Sequence, residues 1–224
     1  MEKNSDMQKT LGLIHTSATL VPVFQQLTSK GLPGVKVFNI VDDSLIADVI
    51  RKGQLTSQTA RRVVDYVGSA ENAGADYIMV TCSSIGAAVE ASAALTRVPV
   101  LRVDQPMADL AVAKGTRVGV IATLPTTLAP TSDLVKRRAA IAGKAIELTS
   151  RLCEGAFDAL MGGDPAKHDK MVADALRELS AQVDVIVLAQ ASMARVVDAL
   201  PEADKRIPIL ASPPTAIEYL KSVL

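Results

Sequence analysis

Apolar and polar positions follow two rhythms along this chain. Short continuous apolar runs, Thr10 to Ile14, Val35 to Ile40, Tyr77 to Val80 and Val98 to Leu101, predict four strands in the first half. Arg117 to Ala122, Ala145 to Leu148, Val185 to Leu188 and Ile207 to Leu210 predict four in the second. Between them the apolar residues fall at helical spacing. Val63, Val64, Val67 and Ala70 mark a helix over Thr56 to Ala73, and Met171, Val172, Ala175 and Leu176 mark one over Ala166 to Leu179. Unbroken Val/Ile/Leu strands separated by helices are the pattern of a parallel sheet buried on both faces.

The second half restates the first. Gly74 to Ala91 realigns on Gln182 to Ala199 at a constant offset that places Asp76 on Asp184 and Cys82 on Gln190. Gly12-Leu13-Ile14 matches Gly119-Val120-Ile121, and Val98 to Leu101 matches Ile207 to Leu210. Strand, loop and helix repeated in one order indicate two copies of one domain. The expected fold is therefore α/β, with two pseudo-symmetric domains, each a four-stranded parallel sheet with helices on both faces, and a cleft between them. Cys82 would stand on one wall and Gln190 on the other. The boundaries read as 1–103 plus 212–224 for the first domain and 104–211 for the second. A helix over Gln105 to Ala113 opens the second domain. After the cap and prolines of Ser212 to Thr215, a last helix over Ala216 to Leu224 crosses back to the first.

Composition narrows the partners. Apolar residues make up 49% of 224, ample for two cores, and with no Trp and only three Tyr and three Phe those cores must be aliphatic. Lys+Arg and Asp+Glu are both 24, so no electrostatic footprint for nucleic acid or an anionic membrane is present. The polar stretch Met1 to Lys9 lacks the apolar core of a signal peptide, and no run approaches the roughly 18 apolar residues that span a bilayer. The expectation is a cytoplasmic protein with free thiols. Two histidines far apart, His15 and His168, and no Cys-x-x-Cys spacing argue against a metal site, and no glycine-rich phosphate cradle occurs, so no cofactor is expected.

Ligands of open α/β sheets gather at the carboxyl ends of the strands. Those positions hold His15-Thr16-Ser17, Thr81-Cys82-Ser83-Ser84, Thr123 with Thr126-Thr127, and Gln190-Ala191-Ser192. The four loops are rich in hydroxyls and free of Lys and Arg, a chemistry suited to a carboxylate held by hydroxyl and backbone N–H groups. Cys82, at a strand-to-helix junction, is the candidate reactive thiol. Cys153, where a strand passes into a helix over Leu148 to Leu160, reads as structural. His15 reads either as a base or as a residue that merely hydrogen-bonds a loop. His168, among Lys167, Asp169 and Lys170, is expected on a solvated helix face, and Asp42-Asp43-Ser44 reads as a helix cap.

These residues resemble the Asp/Glu/hydantoin racemase superfamily over nearly the whole chain. Thr81-Cys82-Ser83-Ser84 looks like the family's first cysteine motif, and Leu188-Ala189-Gln190-Ala191-Ser192-Met193 looks like its second with Gln in place of Cys. His15-Thr16-Ser17 falls on the strand-one Asp-Ser-Gly, and Ala122-Thr123-Leu124-Pro125-Thr126 on the Gly-Thr-x-x-Thr. The resemblance implies cofactor-independent proton chemistry on a small carboxylic acid, Cys82, Gln190 and His15 as catalytic positions, and a homo-oligomer. Two departures matter. An amide has no useful acid or base form near neutral pH, so Gln190 cannot replace a thiol. His15 in place of Asp removes the acidic partner that the ammonium group of an amino acid would want. Three functions stay open: racemisation or isomerisation with Cys82 as the single thiol and a different second base, decarboxylation of a malonate-type acid, and binding of a small acid without catalysis.

Overall fold

The computed structural model describes residues 8–224; Met1 to Met7, most of the polar stretch read for a leader, lie outside the described residues. The described residues divide into two compact units, one reaching to Arg102 and taking back Ile217–Leu224, the other Val103–Ala216.

In the first unit the order is β1 (Thr10–His15), α1 (Leu20–Gly31), β2 (Lys36–Val41), α2 (Ser44–Lys52), α3 (Ser57–Asn72), β3 (Tyr77–Val80), α4 (Gly86–Ser92) and β4 (Val100–Arg102). The strands form one parallel sheet in the order β2-β1-β3-β4. The second unit runs α5 (Gln105–Lys114), β5 (Arg117–Ala122), α6 (Pro125–Ile141), β6 (Glu147–Leu152), α7 (Ala156–Met161), α8 (Pro165–Ser180), β7 (Val185–Leu188), α9 (Ala194–Ala199), β8 (Ile209–Ala211) and α10 (Ser212–Lys221). Its sheet is again parallel, in the order β6-β5-β7-β8.

Alternation within the buried strands explains their continuous apolar runs. Val118, Val120, Val185 and Val187 point into one core of the second unit, while Ile121, Ile186 and Leu188 point into another on the opposite face. The first unit packs Ile14, Ile78 and Val80 against Val63, Val67 and Ala70 of α3. The two aspartates that anchor the repeat do the same work in each unit. Asp76 Oδ2 accepts the Thr10 N–H at 2.7 Å, and Asp184 Oδ2 accepts the N–H groups of Thr116 at 3.1 Å and Arg117 at 2.9 Å. Each carboxylate thus tethers the start of its unit's first strand. The Arg117 guanidinium and these backbone donors hold the Asp184 carboxyl down at about 2.

Several elements depart from the sequence expectation. β4 and β8 begin after Pro99 and Pro208, whose carbonyls accept from Ile78 and Ile186 at 2.9 Å but which have no N–H to donate. β6 spans Glu147–Leu152 rather than 145–148, and the helix after it is only Ala156–Met161. As an edge strand, β6 leaves Glu147, Ser150 and Arg151 exposed, so it carries no apolar run to find. The last helix starts at Ser212, with Pro213 and Pro214 inside its first turn, where their missing N–H groups cost nothing. Its end, Ile217–Leu224, belongs with the first unit, where Ile217 lies over Gly31 and Tyr219 hydrogen-bonds Tyr77.

Candidate active site

In each unit the two central strands flank the point where the strand order reverses, because the chain leaves β1 toward β2 and returns on its other side as β3. Loops diverge there at the carboxyl edge and leave room for a ligand. In the first unit these loops carry His15-Thr16-Ser17 after β1 and Thr81-Cys82 after β3. Cys82 is extended (φ −137°, ψ 119°) and heads a 3₁₀ turn, Ser83–Ile85, that runs directly into α4. Ser83 and Ser84 are buried, and Cys82 is half-buried.

His15 is fully buried at the end of β1, 5.6 Å from the Phe24 ring of α1 between centroids. Its Nδ1 lies 2.8 Å from Thr81 Oγ1 and its Nε2 2.9 Å from Asn39 Oδ1. The tautomer that suits these contacts has Nε2–H donating to Asn39 and Nδ1 accepting from the Thr81 hydroxyl. Burial pulls the imidazole below its usual value, with the Asn39 hydrogen bond opposing in part, so the neutral ring is favoured. Both nitrogens are engaged, and His15 holds Thr81, the residue before Cys82. Thr16 is buried beside it, while Ser17 is half-buried and bonded to the Thr19 hydroxyl at 2.7 Å.

The second unit builds the same corner from different groups. Gln190 has nearly the backbone of Cys82 (φ −131°, ψ 135°) and likewise heads a 3₁₀ turn, Ala191–Met193, leading into α9. Its Oε1 accepts the Thr123 N–H at 2.6 Å and the Thr123 hydroxyl at 3.0 Å, so the loops after β5 and β7 are bridged through the amide. That fixes the sense of the amide and leaves Nε2 as its donor end. Thr126 and Thr127 stand in the first turn of α6, whose N-cap residue, Leu124, offers no side-chain oxygen. The buried Thr126 hydroxyl has no hydrogen-bond partner among the described residues, and Thr127 is buried. Ala191 is half-buried and Ser192 exposed.

Outside these corners, Cys153 is packed in the core with Ile121, Ala156 and Val172, and burial pushes its thiol up to about 11. Asp42 caps α2 by accepting from the Ser44 N–H at 3.1 Å and also takes Arg62 and Tyr66. His168 corrects the sequence reading: it is fully buried, not solvated. It lies on the stripe of α8 that continues as Val172, Ala175, Leu176 and Leu179, and the charged neighbours on either side obscured that spacing. Its Nδ1 is 2.6 Å from Asp169 Oδ1, which also pairs with Arg195 at 2.7 Å.

Two residues of this region were not singled out in the sequence as parts of the site. Asn39 holds His15 from β2. Arg102 ends β4 in register with Val80, the last residue of β3, and is buried against Gly86, the residue that follows the turn headed by Cys82. A charged residue closing an apolar run, as in Val-Pro-Val-Leu-Arg, was the available signal for the second. Among the described residues no group of three or more His, Cys, Asp or Glu is placed to hold a metal ion, and no helix is long and apolar enough to cross a membrane.

Solved structures share this fold. An aspartate racemase from Picrophilus torridus superposes with a TM-score of 0.71 at 13% identity, covering 96% of this chain and 94% of that one. A glutamate racemase isoform from Bacillus anthracis gives 0.70 at 17% identity, covering 96% and 81%, and an allantoin racemase from Klebsiella pneumoniae 0.67 at 17%, covering 96% and 87%. No curated protein matches the chain significantly. The family model described as Asp/Glu/Hydantoin racemase matches residues 11–220, nearly the full length. The chain is a member of the Asp/Glu/hydantoin racemase family.

Proposed function

We propose that this protein is a cofactor-independent enzyme of the racemase/isomerase family that moves a proton at the carbon α to a carboxylate, with Cys82 as its single thiol acid/base. The observation that carries the reading is the equivalence of Cys82 and Gln190. Both head the same turn at the same strand end, but one side chain is a thiol, which can serve as acid or base, and the other an amide, which cannot. The Cys82 thiolate removes the α-proton, the electron pair passes into the carboxylate as an enediolate, and the thiol so formed returns a proton to the same carbon. Gln190, its carbonyl taken up by Thr123, offers its amide N–H to a substrate oxygen. A carboxylate is held by hydroxyl and backbone N–H groups: Ser83 and Ser84 beside Cys82, Thr126 and Thr127 in the first turn of α6, Ala191 and Ser192 beside Gln190. The unpartnered Thr126 hydroxyl supports this, since it is a buried donor that an anion would satisfy. His15 acts through Thr81 as a positioning residue.

The one-thiol arrangement also carries a second reading, loss of carbon dioxide from a malonate-type acid with Cys82 protonating the resulting enediolate. One experiment separates the readings. Small carboxylic acids incubated with the protein in deuterated water are followed by NMR for α-deuteration and for carbon dioxide release. At least one acid is expected to exchange its α-proton, and Cys82→Ala is expected to abolish that exchange. Exchange that persists in Cys82→Ala would rule out Cys82 as the acting group, and a broad panel in which nothing exchanges or decarboxylates would leave the binding of a small acid without catalysis as the better account.

A further inference from the structure

Arg102 sits where a buried charge is costly. Its side chain is 3% exposed in a unit whose core is aliphatic, and an uncompensated buried ion costs several kcal/mol. Among the described residues of the first unit it is the one buried Lys, Arg, Asp or Glu. Its guanidinium lies flat over Gly86, the first residue of α4. A Cβ at position 86 would fall 2.1 Å from Arg102 Cζ, 2.4 Å from Nη2 and 2.5 Å from Nε. Gly86 has ordinary helical angles (φ −56°, ψ −35°), so its backbone does not require glycine. Glycine in a helix is less favourable than alanine. The space it leaves is filled by the guanidinium.

That space is against the turn headed by Cys82. The helix after the turn, α4, has only seven residues, so its dipole is a weak support for a thiolate. A buried guanidinium packed on Gly86, at the end of that turn, adds a positive group on the same side. One counter-charge is displaced: Arg102 Nη1 donates to Glu90 Oε1 at 2.5 Å, and Glu90 lies one turn further along α4 with its side chain 35% exposed, where water screens it. Most other charged groups on neighbouring elements offset one another or face solvent. On α2, Asp48 takes Arg51 and Lys52; on α3, Arg62 is paired with Asp42, and Arg61, Asp65 and Glu71 are not buried. His15 on β1 is held toward its neutral form, and Asp104, two residues after Arg102, is buried.

We infer that Arg102 is a positioning residue for Cys82: its guanidinium, admitted by Gly86, braces the cysteine turn and stabilises the thiolate. This rests on Cys82 being the working thiol, and it adds a named source for its ionisation. The test needs no substrate. In protein carrying Cys153→Ala, the rate of Cys82 alkylation by iodoacetamide is measured from pH 5 to pH 10 by intact mass. Arg102→Met is expected to raise the midpoint of that profile by about one pH unit or more, with Arg102→Lys between it and the parent. Gly86→Ala, which forces the guanidinium off the turn, is expected to shift the midpoint the same way, and it decides the matter if Arg102→Met does not fold. An unchanged midpoint in folded variants, even with lower stability, would overturn the inference and leave Arg102 a packing residue. A raised midpoint in a protein that exchanges no acid would keep the inference and sink the enzymatic reading.

Discussion

The corner after β1 and β3 and the corner after β5 and β7 are two versions of one construction, and they differ in which group is tied down. In the first unit the bridge between strand ends runs from His15 to Thr81, the residue before Cys82. In the second the bridge is Gln190 itself, whose carbonyl takes both donors of Thr123. Two cysteines at these positions would give two interchangeable acid/base groups. On the proposed reading, one thiol and one amide held by Thr123 divide the work into proton transfer and orientation. The hydroxyls follow the same division, with Ser83 and Ser84 buried beside Cys82 but Ser192 exposed beside Gln190.

Removing the reactive member of the comparison has the largest expected effect. Cys82→Ala should lower the rate of α-proton exchange by about 10²–10⁴-fold, the range of a lost general acid or base. Cys153→Ala should leave that rate within a few fold, since its thiol is buried and about 11 in pKa. Equal losses in the two variants, measured as initial exchange rates, would remove the distinction between the cysteines.

Making the corners alike is the next step down. Gln190→Cys restores a thiol at the equivalent position and should add exchange from a second direction, read as racemisation of an enantiopure acid that the parent leaves enantiopure. The same change strips Thr123 of its acceptor, so a loss of about 1 kcal/mol of stability should accompany it in urea unfolding. A folded Gln190→Cys protein with no second stereochemical outcome would mean that Gln190 is not the counterpart of Cys82 in function.

The smallest effect concerns the other bridge. Burial lowers the His15 value below its ordinary 6.5, so the unfolded chain binds the proton more readily than the folded one. Its contribution to stability is therefore full above about pH 6.5 and is lost as pH falls from there toward the lower folded value. His15→Gln should be less stable than the parent at pH 8, and that difference should shrink at pH 5 in urea titrations. A difference that is constant across this range would show that His15 does not titrate differently in the folded protein.

The sequence made the centre of each sheet legible and its margins less so. Tyr77–Val80, Arg117–Ala122 and Val185–Leu188 were found to the residue because burial on both faces leaves no polar position in the run, or at most one at its end. β6 was misplaced because an edge strand with one wet face has no such run. The corners of the candidate site were legible where a residue heads a turn at a strand end, as at Cys82 and Gln190. They were not legible where they depend on packing at long range. Nothing in the sequence joins Asn39 to His15, or Thr123 to the carbonyl of Gln190, and His168 was hidden by its charged neighbours although its spacing to Val172 is helical.

The central claim, one thiol acting on one face, is tested most directly by the stereochemistry of deuterium incorporation. The wild-type protein, with an acid it is found to act on, is incubated in deuterated water and the configuration of the labelled carbon is determined by chiral separation. The account predicts label in a single configuration at all conversions. Both configurations appearing at comparable rates, and still appearing in His15→Ala, would contradict it and show a second base at work.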